Sequence, residues 1–363
     1  MATTKDYGDA EFQFPRGWFM IGAATDATNR PAPIRYFGQD LVLYRGESGA
    51  PYVVEAYCPH MGAHLAKNST SYIVLDGEQV QGESIRCPFH GWRFDNEGKC
   101  DHIPYSPNFI PEQARLKTFP VIERAGILWL WYDNEAGEPA FPLPEFGNHY
   151  DAPGWVNWKL DHMGDLEIHP VEILDNMVDI GHFTPIHGSM DVAYFINEFK
   201  DHVVVQDFGS GHRTLVSEAG GILETHTWYT GPGILQSEMM GGEPSLMFIA
   251  HTPIEDGKVR VWHGLMVQVS DGGHAAVTKE EQDRAYAYQE GSRMAFAQDV
   301  EIWQNKRACI RPLSIPADGP IGKLRSWYWQ FYNGRDRAGD FHRRSNGRVV
   351  KVDTRETAKS AAA

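Results

Sequence analysis

Cysteine is scarce in this chain, with four among 363 residues. Four thiols spread over so long a sequence do not make a disulfide framework. A reducing cytoplasm is the expected compartment, and the thiols are left for other work. Basic charge is also in deficit, for the formal net charge is −15. Such a surface repels polyanions at long range, which argues against nucleic acid or an anionic membrane as partner. Long hydrophobic runs are missing too. The most apolar stretch, Ala125 to Tyr132, is far shorter than the roughly 20 residues that span a bilayer. The first residues lack the basic start, apolar stretch and small-residue cleavage site of a secretory leader. There is no internal repeat, and low complexity is confined to the terminal alanines.

What remains is ordinary for a soluble globular protein: 42% hydrophobic and 22% charged residues. The length suits two domains. Eleven Trp and eighteen Phe point to deep cores or a large apolar cavity. The first third reads as short strands between turns: Phe37 to Tyr44, Pro51 to Tyr57 and Gly126 to Tyr132, the last apolar enough to be buried on both faces. Residues 16–133 are therefore expected to form a small all-β domain. A Pro- and Gly-rich linker, Glu138 to Pro153, follows. Next come a helix over Pro170 to Ile180, strands at Thr225 to Tyr229, Ser245 to Ala250 and Val259 to Val269, and a long helix over Lys279 to Lys306. Tyr286, Met294, Phe296 and Ile302 supply the expected apolar face of that helix. This pattern makes residues 134–334 an α+β domain with an antiparallel sheet. Residues 335–363, rich in Arg and Lys, are expected to be a flexible tail, or a basic arm for an acidic electron carrier.

Chemistry enters with Cys58-Pro59-His60, followed 26 residues later by Cys87-Pro88-Phe89-His90. Each half offers one thiolate and one imidazole from a single loop. Two such loops suit a [2Fe–2S] cluster with two cysteines on one iron and two histidines on the other, which raises its potential above that of all-cysteine clusters. Zinc is the competing metal for two Cys and two His. Zinc fingers pair Cys with Cys and His with His, so the interleaved spacing favours the cluster. The Trp92 indole and the loop amides are expected to hydrogen-bond to sulfur. Cys100 and Cys309 lack such partners and read as plain thiols, and His64 as structural.

A second constellation lies in DNMVDIGHFTPIHG, residues 175–188. On a continuing helix Asp179 and His182 share one face. Pro185 is expected to disturb that helix and turn His187 toward the same point. Asp299 lies far downstream on the last helix. Two His and one carboxylate on one face of an iron leave positions open for O₂ and substrate, the arrangement of non-haem Fe(II) oxygenases. With sixteen His in the chain an H-x₄-H pair arises readily by chance, so the carboxylate and the upstream cluster give the pair its weight. The scattered histidines, His263 and His274 among them, read as surface or satisfied core residues. Trp228, Tyr229, Met239, Met240, Phe248 and Trp262 are candidates either for an apolar pocket or for plain core.

The paired C-x-H and C-x-x-H motifs, the D-x-x-H-x₄-H segment and the late Asp299 resemble the oxygenase (alpha) subunits of Rieske non-haem iron oxygenases. The likeness runs from RGW at Arg16 to WYWQFY at Trp327. RCPFHGWRF, ILDNMVDIGHF and QDVEIWQNK are most similar to the 3-ketosteroid 9α-hydroxylase group. The resemblance implies a Rieske β-domain followed by a helix-grip, START-like catalytic domain. It implies cluster ligands at Cys58, His60, Cys87 and His90, and mononuclear iron ligands at His182, His187 and Asp299. It also implies a bridging carboxylate at Asp179, Asn176 close to the iron, and a homotrimer. Electrons would come from NAD(P)H through a separate reductase or ferredoxin, O₂ would be the co-substrate, and a bulky, apolar, steroid-like molecule would be hydroxylated. An O- or N-demethylase or aromatic-ring hydroxylase would use the same metals. A Rieske electron carrier would leave the second ligand set idle, as would a sterol-binding protein.

Overall fold

The computed structural model describes residues 2–212, 221–270, 276–315 and 317–355; His274 and the last eight residues of the predicted tail lie outside them. The chain divides into two compact units, Phe19–Tyr132 and the residues up to Trp18 together with those from Asp133 onward. In chain order a one-turn helix α1 (Thr4–Tyr7) precedes eleven short strands. They are β1 (Gly17–Ala23), β2 (Ala32–Tyr36), β3 (Gln39–Arg45), β4 (Pro51–Glu55), β5 (Val80–Gln81), β6 (Ser84–Arg86), β7 (Arg93–Phe94), β8 (Cys100–His102), β9 (Thr118–Phe119), β10 (Val121–Arg124) and β11 (Ile127–Tyr132). They pair in three small sheets, β1-β11-β10, β2-β3-β4-β9 and β5-β6-β7-β8. All six residues of β11 are buried, as its unbroken apolar run predicts. β3 starts later than expected because Phe37 and Gly38, both with positive φ, form the two-residue hairpin turn that pairs Tyr36 with Gln39.

The second unit is built on a nine-stranded antiparallel sheet. Its strands are β12 (Trp155–Val156), β13 (Asp161–Leu166), β14 (Ser189–Lys200), β15 (Val203–His212), β16 (Leu223–Thr230), β17 (Ile234–Met240), β18 (Ser245–Glu255), β19 (Lys258–Gln268) and β20 (Gly347–Asp353). The order is β12-β19-β18-β17-β16-β15-β14-β20, with β13 also on β19. Helices α2 (Val171–Leu174) and α3 (Phe183–His187) lie between β13 and β14, and α4 (Lys279–Asn305), α5 (Ile321–Tyr328) and α6 (Ala338–Ser345) between β19 and β20. Helix α4 begins at a capping box: Thr278 Oγ1 accepts from the Glu281 amide, and the Glu281 carboxylate accepts from the Thr278 amide.

Four expectations need correction. The helix over Pro170 to Ile180 stops after α2 and a 3₁₀ turn at Asp175–Met177. Side chains compete for its backbone: Asn197 Nδ2 and Gln206 Nε2 both donate to the Met177 carbonyl, at 3.2 and 2.6 Å. Pro185 lies inside the first turn of α3, where a missing N–H costs nothing. On α4, Met294 and Ile302 are exposed, and the buried face is Ala285, Gln289, Phe296, Asp299, Val300 and Trp303. Gln289 is tolerated there because its amide donates to the Asn157 and Leu265 carbonyls. Finally, residues 335–353 of the expected flexible tail form α6, which buries Phe341, and β20, which pairs with β14.

Strand alternation also divides the pocket candidates. Tyr229 and Met239 share the sheet face of His263, which meets α4. Trp228, Met240, Phe248 and Trp262 belong to the opposite face, where Phe248 packs on Phe146 and Trp158.

Candidate metal centres

The two Cys/His loops of the first unit have the same backbone. The Cys58 amide donates to the Ala63 carbonyl and the Gly62 amide to the Cys58 carbonyl, both at 2.9 Å. Cys87 with Trp92 and Gly91 repeats this at 2.8 and 3.0 Å. Gly62 and Gly91 both take φ +75°, a conformation that closes each loop tightly and disfavours any other residue. The loops converge. The His60 and His90 rings are 4.7 Å apart, and the Cys58 and Cys87 thiols share a hydrogen bond. That bond, more than burial, raises the Cys58 thiol, and it lowers Cys87 to about 6, with help from the Phe89 and His90 amides. A sulfur that accepts backbone amides is prepared for the thiolate state a metal needs.

His90 Nδ1 is buried without a hydrogen-bond partner, which fits a ring nitrogen kept for a metal. Trp92 stacks on His60 at 4.3 Å and 9°. Its indole N–H donates to the Tyr105 hydroxyl at 2.8 Å, so the expected bond to sulfur is not the one it makes. His64 accepts from the Ala66 amide and steadies its own turn. Cys100 is a buried thiol in the same core cluster as Cys58 and Cys87, its Sγ directed at the His102 carbonyl, and Cys309 uses its backbone to bind Glu172 and Arg325.

In the second unit, His182, His187 and Asp299 present ligand atoms all within 4.8 Å of one another. α3 carries both histidines at its ends, and Gly188 at φ 73° turns the chain away into β14. Phe183 anchors α3 to the sheet by stacking on Phe208 at 4.3 Å. Asp299 comes from the buried face of α4, and its Oδ2 lies 3.2 Å from His187 Nε2. Asn176 Nδ2 donates to Asp299 Oδ1 at 3.1 Å and so fixes the carboxylate plane.

His182 Nδ1 lies 2.6 Å from the Asp179 carbonyl and 3.6 Å from its carboxylate. That contact puts the ring proton on Nδ1 and leaves Nε2 free as a donor to a metal. Asp179 and His182 thus meet across a turn, with no shared helical face. Burial pushes the Asp179 carboxyl up, but His182 and the Gly181 and His182 amides outweigh it and hold it below the usual range.

Two acidic residues in the turn before Asn176 support this site. Asp175 takes a two-pronged ion pair from Arg325, at 3.0 and 2.5 Å, and Arg325 also donates to the Ile310 and Cys309 carbonyls. Glu172, fully buried, accepts from Tyr7 and the Cys309 amide and pairs with Lys306. These bonds tie the Asn176 segment to the end of α4. Two carboxylates three residues apart on an otherwise apolar turn were the available signal.

Residues 17–120 match the Rieske [2Fe-2S] domain family, and residues 130–332 the 3-ketosteroid 9α-hydroxylase C-terminal domain family. A probable 3-ketosteroid-9-alpha-monooxygenase oxygenase component from Rhodococcus rhodochrous is 35% identical over 91% of this chain and 82% of its own length. The cholesterol 7-desaturase of Caenorhabditis elegans is 31% identical over 90% of this chain and 78% of its own. Among solved structures, NdmA of Pseudomonas putida CBB5 with caffeine superposes with a TM-score of 0.67 at 16% identity, over 93% of this chain and 96% of that one, a likeness of fold. A Rieske domain with two matched Cys/His loops, joined to a catalytic domain of this kind, makes the chain a terminal oxygenase component, and it belongs to the 3-ketosteroid 9α-hydroxylase family of Rieske oxygenases.

Proposed function

We propose that this chain hydroxylates a bulky, apolar, steroid-like substrate with O₂ and electrons drawn from NAD(P)H through a separate reductase. The convergence of His182, His187 and Asp299 within 4.8 Å carries this reading. Those three side chains would hold one iron, and Cys58, His60, Cys87 and His90 the cluster. Bound iron supplies O₂ activation and attack on the C–H bond.

The chain's own part is positioning. Asn176 keeps one oxygen of Asp299 occupied, so the other faces the histidines. The Asp179 carbonyl holds the proton of His182 on Nδ1. The Asp179 carboxylate, fixed on one side by the Gly181 amide, remains about a third exposed. We assign it the bridging role between cluster and iron, across the subunits of a homotrimer. The exposed Met61 and Phe89 beside the cluster loops support docking of that kind. A cytoplasmic setting accords with four free cysteines.

Turnover with ¹⁸O₂ tests the reading: a steroid product carrying one labelled hydroxyl is expected. A second reading, desaturation, is favoured by the likeness to cholesterol 7-desaturase. It predicts a product with a new double bond and no label.

A further inference from the structure

Apart from the seven donor side chains, a second polar constellation joins α4 to the sheet. His263 of β19 is fully buried, and both ring nitrogens are engaged. Nδ1 lies 3.0 Å from Asp161 Oδ2 on β13, and Nε2 lies 2.9 Å from Ser292 Oγ on α4. Phe296, one turn further along α4, stacks on the imidazole at 5.8 Å. Asp161 is about a quarter exposed and Ser292 is half-buried. A carboxylate behind a buried imidazole orients the ring and keeps one nitrogen turned on the hydroxyl in front.

Two observations link Ser292 to the residues of the His182, His187 and Asp299 set. Ser292 and Asp299 face the sheet from one side of α4, and seven residues at 1.5 Å each place them about 10 Å apart along the axis. Ser292 Oγ also touches Met247 Sδ at 3.9 Å. Met247 begins a row of cross-strand neighbours, Met247, Ser237, Thr227 and Gln206, on the face that carries His263. Midway, the buried Thr227 and Ser237 hydroxyls lie 2.7 Å apart. Gln206 ends the row by donating to the Met177 carbonyl, in the segment that leads to His182. Three strand spacings of ~4.8 Å make this strip about 14 Å long, comparable to the long axis of a rigid fused-ring system.

We propose that Ser292, held by Asp161 and His263, anchors a terminal oxygen of a polycyclic substrate whose inner ring lies at His182, His187 and Asp299. This rests on the steroid-like substrate proposed above. With Asp161 holding the Nδ1 proton, Nε2 takes the proton of Ser292, whose lone pairs are left to accept from a substrate hydroxyl. An analogue without that oxygen forfeits the bond while Ser292 keeps His263 as its partner, so the loss is that of one net hydrogen bond. Ser292 is then a specificity-determining residue. Asp161 and His263 are positioning residues behind it.

The test is equilibrium binding to the cluster- and iron-loaded chain under anaerobic conditions, which needs no turnover. The probes are a steroid with a hydroxyl at both ends of the nucleus and its two analogues lacking one hydroxyl each. The wild type is expected to lose roughly three- to tenfold in affinity when one particular oxygen is removed. Ser292→Ala, a substitution that favours helix, is expected to abolish that difference, and Ser292→Thr to restore it. Asp161→Asn, at the partly exposed end, is expected to reduce the difference without abolishing it. A folded Ser292→Ala protein that keeps the wild-type discrimination overturns the anchor and leaves the steroid reading standing. A wild type that binds none of the probes overturns the steroid reading, and the anchor with it.

Discussion

Burial holds two histidines of the catalytic unit, His169 and His251, at a pKa of about 3, against 6.5 for an exposed ring. For His169 the nearby Arg325 adds to the effect. The bonding explains why protonation is resisted. His169 Nδ1 accepts from the Val171 amide at the start of α2, and Nε2 lies 3.1 Å from Thr4 Oγ1, whose one proton is shared between the Gln13 carbonyl and the Asp256 carboxylate. A proton on Nδ1 would set N–H against N–H and unseat the segment that leads to Asn176. Between pH 6.5 and 3 the unfolded chain binds protons that the folded chain refuses, so stability falls as pH falls through that window. From about pH 7.5 to about pH 5 each histidine costs ~2 kcal/mol, or ~4 kcal/mol for the pair. Half-buried His202 and His212, lowered for the same first reason, act in the same direction. Urea unfolding across this range measures the slope. His251→Gln should remove about half of it, which separates the histidines from the carboxylates and from metal loss. An unfolding free energy that stays level from pH 7.5 to 5, or a His251→Gln slope equal to the wild type's, would refute the reasoning.

Three further predictions concern the residues around the proposed iron site. Asn176→Ala frees one oxygen of Asp299 and is expected to weaken iron binding roughly 10- to 100-fold, read by competition with a chelator, while the fold melts normally. Asp175→Ala leaves Arg325 buried without its carboxylate and is expected to cost about 3–5 kcal/mol in chemical denaturation. Adding Arg325→Met should recover part of that loss. Asp179→Asn is expected to slow electron arrival at the iron, followed by rapid-mixing spectroscopy, while all three ligands and the iron content are retained.

The candidate ligand pairs were legible because each is local: Cys58 with His60, Cys87 with His90 and His182 with His187 keep spacings that survive any detail of the fold, whereas Asp299 comes from far along the chain. β11 and α4 were legible from an unbroken apolar run and from length. What escaped depends on partners distant in sequence. The helix over Pro170 to Ile180 ends early because Asn197 and Gln206, on strands not yet formed when a sequence is read, claim the Met177 carbonyl. The buried face of α4 carries Gln289 and Asp299, which a count of apolar residues passes over in favour of Met294 and Ile302. β20 escaped because its valines, in a basic stretch, become a strand only beside β14. His263 looked ordinary, for its partners are 102 and 29 residues away.

Metal content tells most directly whether two lobes of this protein carry separate iron centres. Anaerobically reconstituted chain should bind about three irons, two in a cluster with the spectral signature of mixed sulfur and nitrogen ligation and one apart from it. His187→Ala should lower the count to about two with that signature unchanged. A wild type that binds zinc at Cys58 and Cys87, or a His187→Ala protein that still holds the third iron, would contradict the account.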